Sequence, residues 1–161
     1  MTPPSQVSLV VLDVDGVLTD GRLWYGPDGE SLKVFDVRDG HGIKNLIAAG
    51  IGVAVISGRR SGAVTARMRE LGVSDVAQGV KDKARALAEL LKRNAIEAKR
   101  VACLVDDTPD LGLMAAVGLP AAVADAHPEV LAAAQHVTRA RGGRGAVREF
   151  CDWLVAAQVP P

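Results

Sequence analysis

The chain has 161 residues, of which 48% are hydrophobic and 24% charged, a composition typical of a globular domain with its own core. Lysines and arginines number 19, as do aspartates and glutamates, so the formal net charge is +0. This balance argues against binding through bulk charge to nucleic acid or to an anionic membrane surface. Two tryptophans, one tyrosine and two phenylalanines are too few for a base-stacking platform.

The N-terminus and the two cysteines give no sign of export or of disulfide chemistry. Residues 1–6 are polar and proline-rich without an apolar segment behind basic residues, and no run of about eighteen apolar residues occurs. Cys103 lies in an apolar run and Cys151 in a predicted helix, so we predict core residues rather than metal ligands or a disulfide. We therefore expect a soluble, cytoplasmic protein that does not bind membranes.

The first predicted element is a short apolar run that ends in two aspartates. Residues 8–13 do not alternate between polar and apolar, which predicts a strand buried on both faces of a sheet. Asp13 and Asp15 lie at its carboxyl end, where open parallel sheets bind ligands, and Gly16 allows a sharp turn. Adjacent buried carboxylates repel unless a cation or a proton neutralises them, and Mg²⁺ prefers oxygen ligands. This pattern predicts a cation site after the first strand.

Residues 22–36 show no helical period and predict a β-hairpin. Apolar segments at residues 23–25 and 32–35 flank the turn sequence Gly-Pro-Asp-Gly at residues 26–29. An isolated hairpin is marginally stable in water, and this one carries three of the aromatic side chains. We therefore expect it to pack on another surface, such as that of a second subunit.

Strands and helices alternate over the rest of the chain. The sequence Gly40-His41-Gly42 predicts a break, followed by a helix with apolar residues at helical spacing that ends at Gly50. Further strands are predicted at residues 51–56, 75–77, 101–105, 119–123 and 136–138. Further helices are predicted from about residue 61 to 72, from about residue 82, and over residues 144–157.

This alternation predicts an α/β fold with a doubly wound, mainly parallel, Rossmann-like sheet. No repeat, low-complexity segment or linker divides the sequence, so we predict a single domain over residues 1–161. The hairpin at about residues 22–36 is a small insertion, and no large cap domain is expected. The predicted C-terminal tail and helix occupy about residues 139–158.

Polar residues follow three of the predicted strands, and a parallel sheet brings the three strand ends to one edge. They are Asp13 and Asp15 after the first strand, Ser57 and Gly58 after the second, and Asp106, Asp107 and Asp110 after the strand at 101–105. A hydroxyl and backbone N–H groups at the start of a helix bind anions, as Ser57 and Gly58 would. Lys83 opens another predicted helix and adds a fixed positive charge. We predict that these residues hold a phosphate between a cation, a lysine and a nucleophile.

The order of these motifs resembles that of the haloacid dehalogenase superfamily, most of whose members are phosphatases. Asp-x-Asp, Ser-Gly-Arg, a lysine and Asp-Asp-x-x-Asp follow one another as in that superfamily, and the match extends over almost the whole chain. Within it, the chain resembles the small capless group that contains the 3-deoxy-D-manno-octulosonate 8-phosphate phosphatases. The closer match lies in residues 16–21, 39–42, 78–79, 82–83, 124–128 and 142–149.

The resemblance implies a role for each aspartate of the constellation. Asp13 would be the nucleophile that attacks phosphorus, and a ligand of Mg²⁺. Asp15 would protonate the leaving alcohol, deprotonate the attacking water, and bind the metal through its backbone carbonyl. Asp106 would complete the metal site, and Asp107 and Asp110 would support it.

The resemblance also implies the residues that bind substrate. Ser57, Gly58 and Lys83 would bind the transferring phosphoryl group. Four arginines occur within residues 139–148, and Arg144 and Arg148 would form a substrate-binding tail for the sugar acid's carboxylate. We expect this tail to reach the active site of a neighbouring subunit in a homotetramer.

The function implied by the resemblance is hydrolysis of a sugar-acid phosphate by a Mg²⁺-dependent phosphomonoester hydrolase. The expected reaction converts 3-deoxy-D-manno-octulosonate 8-phosphate to KDO and phosphate, through an aspartyl-phosphate, in lipopolysaccharide precursor synthesis. Alternatives are a phosphatase for a nine-carbon, sialic-type sugar-acid 9-phosphate, a non-catalytic oligomerisation module of sugar activation, and a phospho-accepting receiver. The intact set of Asp13, Asp15, Lys83 and Asp106 argues against the module. The Asp-x-Asp-Gly and Ser-Gly-Arg sequences disfavour the receiver.

Overall fold

The computed structural model describes residues 2–158. In that range the strands are β1 (Leu9–Leu12), β2 (Trp24–Gly26), β3 (Gly29–Leu32), β4 (Gly52–Ser57), β5 (Asp75–Gln78), β6 (Val101–Val105), β7 (Leu119–Ala122) and β8 (His136–Val137). The helices are α1 (Val37–Ala48), α2 (Gly62–Leu71), α3 (Lys83–Asn94), α4 (Leu111–Ala115), α5 (Pro128–Ala133) and α6 (Ala146–Gln158). None of these helices is long and apolar enough to cross a membrane.

Six of the described strands form one parallel sheet in the order β5-β4-β1-β6-β7-β8, and β2 and β3 pair separately as an antiparallel hairpin. β1 lies between β4 and β6, with Leu9 aligned to Gly52 on one side and to Val101 on the other. The chain adds strands outward from β1 through β4 to β5, then returns to the far side of β1 and adds β6, β7 and β8. The direction of strand addition thus reverses between β1 and β6, which is where open α/β sheets bind ligands.

The core of the protein is the sheet itself, because its central strands are apolar on both faces. Every residue of β1 and β6 is buried. Helix α1 packs against α2 and α6, whereas α4 packs against α3 and α5, so the helices form two layers. Cys103 and Cys151 are buried and free, as predicted. The doubly wound, mainly parallel α/β fold without a large cap is confirmed.

The predicted break at residues 40–42 is wrong. Asp36 caps α1 by accepting a hydrogen bond from the Arg38 N–H at 2.8 Å, and the helix continues through residues 40–42. The reason is close packing of α1 on α6, since a Cβ on Gly42 would lie 2.9 Å from the Arg148 Cα. These glycines therefore permit a helix contact instead of a turn.

Three smaller predictions also need correction. The second strand of the hairpin is Gly29–Leu32 and not residues 32–35, because it begins directly after the two-residue turn. Helix α5 was not predicted, and His127 caps it by accepting a hydrogen bond from the Glu129 N–H at 3.3 Å. The last helix begins at Ala146 rather than residue 144, because residues 142–145 form a turn in which Gly143 and Gly145 have positive φ.

Candidate active site

Three carboxylates meet at the edge of the sheet where β1 and β6 end. The backbone N–H of Asp13 donates to the Leu104 carbonyl at 3.2 Å, which ties the start of the loop to β6. Asp106 directly follows β6, and Asp110 ends a short 3-10 turn after it. One carboxylate oxygen from each of Asp13, Asp106 and Asp110 lies within 4.8 Å of the other two. The sheet topology thus concentrates negative charge at one point.

Lys83 neutralises part of this charge. Asp82 caps α3 by accepting a hydrogen bond from the Arg85 N–H at 3.0 Å, which makes Lys83 the first residue of the helix. Its Nζ lies 2.8 Å from Asp13 Oδ1 and 2.6 Å from Asp110 Oδ1, and its side chain is only 9% exposed. Burial alone would lower the pKa of Lys83, but the two carboxylates raise it above its ordinary value.

The carboxylates hold their protons more tightly than usual because they are buried next to one another. Burial raises the pKa of Asp13 despite the contact with Lys83. Burial, followed by repulsion from its aspartate neighbours, raises the pKa of Asp106 to about 8. Burial and the charge of Asp13 raise the pKa of Asp110 to about 6. A single ammonium group does not balance three carboxylates, so the cluster favours a further cation.

The donor set at Asp106 fits a hard divalent cation. Among the described residues, Asp106 Oδ1 is buried and has no hydrogen-bond partner. The Asp106 carboxylate lies so close to Gly16 that a Cβ there would be 1.9 Å from Asp106 Oδ2. Gly16 also has a φ of 89°, so both its conformation and this contact require glycine. Buried anionic oxygens without donors are ligands that Mg²⁺ accepts.

Asp15 stands apart from the three-carboxylate cluster and contacts the hairpin instead. Lys33 forms an ion pair with Asp15 and lies 3.0 Å from Glu30, and its side chain is only 2% exposed. Arg59 Nε lies 4.0 Å from the Asp15 carboxylate, and its guanidinium donates to Glu30 at 2.8 Å and to the Tyr25 hydroxyl at 3.2 Å. Lys33 and Glu30 were not predicted as site residues, and the one available signal was the position of Lys33 inside an otherwise apolar segment.

Ser57 ends β4, the strand beside β1, and is buried. Its Oγ accepts a hydrogen bond from the Arg59 N–H at 3.3 Å, and its carbonyl accepts from the Val80 N–H at 3.1 Å. Gly58 leaves open space, since a Cβ there would meet only the Val80 carbonyl oxygen, at 3.6 Å. The Ser57 hydroxyl and the backbone N–H groups after it thus form a polar loop at the same edge of the sheet.

The remaining predicted site residues lie further out. Asp107 is exposed, and its carboxylate accepts from the backbone N–H of the next residue at 2.7 Å. The Arg144 side chain is 61% exposed and donates to Asp20 at 3.3 Å, close to the loop after β1. Arg148 donates to Asp152, one turn further along α6, at 2.7 Å. The structure therefore brings Asp13, Lys83, Asp106 and Asp110 together, but not Asp107 or Arg148.

A doubly wound sheet that ends in an Asp-x-Asp loop, with a serine loop, a buried lysine and further aspartates at the same edge, defines a haloacid dehalogenase-like hydrolase. The model of the family described as "haloacid dehalogenase-like hydrolase" matches residues 70–149. These residues contain Lys83 and the aspartates after β6.

Relatives with assigned names cover nearly the whole chain. The 3-deoxy-D-manno-octulosonate 8-phosphate phosphatase of Escherichia coli strain K12 is 48% identical over 152 residues, which are 94% of this chain and 81% of that protein. The structure of the cobalt-bound deoxy-D-mannose-octulosonate 8-phosphate phosphatase from Haemophilus influenzae has a TM-score of 0.94 at 44% identity, and the match covers 96% of this chain and 91% of that one. The chain belongs to the family of 3-deoxy-D-manno-octulosonate 8-phosphate phosphatases, and it is a phosphomonoester hydrolase.

A third relative was crystallised with ligands. The structure of the Moraxella catarrhalis phosphatase, in complex with a magnesium ion, a phosphate ion and a KDO molecule, has a TM-score of 0.93 at 39% identity. The match covers 96% of this chain and 89% of that one. The folds therefore correspond over almost their full lengths.

Proposed function

We propose that this protein is a Mg²⁺-dependent phosphatase that hydrolyses 3-deoxy-D-manno-octulosonate 8-phosphate to KDO and phosphate in lipopolysaccharide precursor synthesis. The observation that carries the proposal is the buried cluster of Asp13, Asp106 and Asp110, held beside Lys83 where β1 and β6 end. The names of the relatives and the magnesium, phosphate and KDO bound to the Moraxella catarrhalis enzyme support the same substrate and metal.

In the first step, an oxygen of the Asp13 carboxylate attacks phosphorus and the bond between phosphorus and the ester oxygen breaks. Asp15 donates its proton to the departing alkoxide, which leaves as the sugar alcohol. Asp15 is assigned this task because it lies two residues after Asp13, in the same loop at the end of β1. The product of this step is an aspartyl-phosphate on Asp13.

In the second step, Asp15 accepts a proton from a water molecule whose oxygen attacks the same phosphorus. The bond between phosphorus and Asp13 breaks, which releases phosphate and restores both carboxyl groups to their starting states. Lys33 and Arg59 contact Asp15 from the hairpin and the serine loop, so they hold its carboxyl group in place through both steps.

The phosphoryl group needs positive charge and hydrogen-bond donors around its oxygens. We propose that Lys83 supplies the charge, and that Ser57 and the backbone N–H of Gly58 donate to these oxygens. Asp13, Asp106 and the backbone carbonyl of Asp15 would hold Mg²⁺, with Asp110 and Asp107 as supporting residues. Mg²⁺ bound there supplies the positive charge that stabilises the transferring phosphoryl group.

The substrate also carries a carboxylate, for which we propose Arg144 and Arg148 as partners. Arg144 has the better support, because it is exposed and lies beside Asp20 in the loop that follows the catalytic aspartates. In variants with alanine at both positions, kcat/KM for the sugar-acid phosphate should fall, whereas hydrolysis of a small aryl phosphate should not. The Asp20 contact is within one chain, and delivery of the tail to a neighbouring subunit stays a prediction, which activity regained on mixing the double variant with Asp13→Asn subunits would support.

We further propose a homotetramer that covers the apolar face of the hairpin. Trp24 is 51% exposed and its cross-strand partner Leu32 is 61% exposed, and Leu23 and Val34 are also exposed. Large exposed apolar side chains that cluster on one small element mark an interaction site. Sedimentation should show an oligomer that Trp24→Ser with Leu32→Ser dissociates, while Val137→Ser, at an exposed residue of β8, leaves it intact. A 16.8 kDa species as the only form of the wild type would contradict this assembly.

The test of the function is phosphate release from a panel of substrates, with Mg²⁺ and with EDTA. The panel contains the eight-carbon sugar-acid 8-phosphate, a nine-carbon sialic-type 9-phosphate and an aryl phosphate. We expect the highest kcat/KM for the eight-carbon substrate and no release in EDTA. Preference for the nine-carbon substrate would reassign the substrate, and no release from any of them would leave a non-catalytic module.

A further inference from the structure

Three carboxylates in the sequence strings that resemble the family have no role in the proposed chemistry, yet they meet in the structure at one segment. This segment, residues 139–145, lies between β8 and α6, and we call it the clasp segment. Asp39 comes from α1, Asp125 follows β7, and Glu149 lies in α6. The carboxylate of each accepts hydrogen bonds from backbone N–H groups of the clasp segment or of the helix turn that follows it.

Two of these carboxylates hold the first half of the clasp segment. Glu149 accepts from the Arg139 N–H at 2.9 Å and from the Ala140 N–H at 2.9 Å. Asp125 accepts from the Gly142 N–H at 3.0 Å. Because these backbone N–H groups have no strand or helix partner, the carboxylates satisfy donors that would otherwise be unpaired.

Asp39 holds the other end. It is buried, and its Oδ1 accepts from the Arg148 N–H at 2.8 Å. An aspartate in α1 thus satisfies the Arg148 backbone donor in the first turn of α6, which helps to fix where the clasp segment ends and the helix begins.

The clasp segment lies directly against the loop that carries the catalytic aspartates. The Gly143 N–H donates to the Val17 carbonyl at 2.8 Å. A Cβ on Gly142 would lie 1.6 Å from the Gly16 carbonyl oxygen, and one on Gly143 would lie 2.3 Å from the Asp20 backbone nitrogen. Both near neighbours are backbone atoms that cannot rotate away, so only glycine fits at these two positions.

Gly16 is also the residue that touches the proposed metal ligand. The Asp106 carboxylate fills the space that a Cβ on Gly16 would occupy, and its Oδ2 lies 1.9 Å from that position. The clasp segment, Gly16 and Asp106 therefore form an unbroken series of close contacts. If the Gly16 backbone shifted by a few tenths of an ångström, the Asp106 carboxylate packed against it would change its position.

We propose that the clasp segment positions the active site: Gly142 and Gly143 fix the backbone at Gly16 and, through it, the orientation of the Asp106 carboxylate. The inference rests on the proposed function, because it takes Asp106 as a metal ligand. Gly142, Gly143 and Asp125 are positioning residues here, since they reach the reacting groups through Gly16. Outer-shell contacts of this kind are worth about 10–100-fold in metal affinity or activity.

The test uses Gly142→Ala, with Gly62→Ala as its matched control. Gly62 begins α2, and a Cβ there would meet nothing within 4 Å. Calorimetric titration with Mg²⁺ alone should show Kd raised about 10-fold or more in Gly142→Ala and unchanged in Gly62→Ala. The kcat of Gly142→Ala should fall about 100-fold with little change in KM, as expected for a misplaced ligand group.

Asp125 provides a second variant that introduces no steric clash and leaves the core intact, since its side chain is 35% exposed. Asp125→Ala removes the acceptor for Gly142 and should weaken Mg²⁺ binding about 10-fold, whereas Asp125→Asn keeps an acceptor oxygen and should restore affinity to near wild type. Glu89→Ala, which removes an exposed carboxylate from α3, is the matched control.

The outcomes separate this inference from the proposed function. The positioning role alone would be overturned by one combination of results. In it, the wild type binds Mg²⁺ and releases phosphate, and the Gly142→Ala and Asp125→Ala variants have unchanged Mg²⁺ affinity and kcat. Equal losses in Asp125→Asn and Asp125→Ala would also overturn it, because the Gly142 hydrogen bond would then be irrelevant. Wild type that neither binds Mg²⁺ nor releases phosphate would overturn the proposed function and this inference together.

Discussion

Replacing Lys83 with methionine removes one positive charge and keeps a side chain of similar length. Asp13 and Asp110, whose oxygens lie 2.8 Å and 2.6 Å from Nζ, then lose their partner in a buried site. Breaking a buried ion pair costs about 3–5 kcal/mol. We expect the free energy of unfolding in metal-free buffer near neutral pH to fall by about this amount, and Tm to fall by about 6–20 °C.

The cost should depend on pH in a defined direction. The pKa of Asp110 is already raised from 3.8 to about 6 with Lys83 in place, and loss of the ammonium group raises it further. Because the folded state then binds protons more tightly than the unfolded chain, its stability is retained at low pH and lost as pH rises through this window. The difference between wild type and Lys83→Met should therefore be small near about pH 5 and largest near about pH 8.

Urea unfolding at these two pH values, with EDTA present, measures the effect. Lys81→Met is the matched control, because Lys81 is an exposed lysine two residues before Lys83. Lys83→Met that is as stable as Lys81→Met at about pH 8 would refute the reasoning, since the aspartates would then not need the ammonium group. A loss that is equal at both pH values would refute the account of the raised carboxyl pKa values.

Two further predictions concern the metal and a second buried aspartate. Mg²⁺ at about 100 times its Kd should stabilise the wild type against unfolding by about 2.7 kcal/mol. A thermal-shift assay should show no such gain for Asp106→Asn. An equal shift of Tm in both proteins would place the ion elsewhere. Burial raises the pKa of Asp39 from 3.8 to about 6, so its contribution to stability should decline as pH rises from about 4 to about 6. Urea unfolding should show that the stability of wild type relative to Asp39→Asn falls by up to about 3 kcal/mol over that range, and parallel pH profiles would contradict this.

The sequence predicts those parts of the site that depend on short, contiguous stretches of residues. An apolar run followed by a polar residue marks a buried strand and its end, and parallel strands bring such ends to one edge. This reasoning predicts that Asp13, Ser57 and Asp106 lie at the same edge of the sheet. The position of Lys83 at the start of a helix is also predictable, because Asp82 is a recognisable N-cap residue directly before it.

The parts that the sequence does not predict depend on how elements pack. The position of Lys33 over Asp15 requires knowing where the hairpin lies, and no local pattern encodes this. Residues 40–42 predict a turn by local propensity, whereas the contact of α1 with α6 makes glycine necessary inside a helix. Gly142 likewise has no local signature, because its requirement comes from Gly16, which is distant in sequence.

Direct detection of the phosphorylated residue tests the central claim that phosphoryl transfer passes through Asp13. Wild-type enzyme with Mg²⁺ and excess sugar-acid phosphate is quenched during turnover with borohydride, which reduces an aspartyl-phosphate to homoserine, and its peptides are analysed by mass spectrometry. The account predicts homoserine at position 13 in the wild type and none in Asp13→Asn, which should also retain less than about a tenth of wild-type kcat. Turnover without any trapped product at Asp13, or homoserine at Asp15 or Asp106, would contradict it.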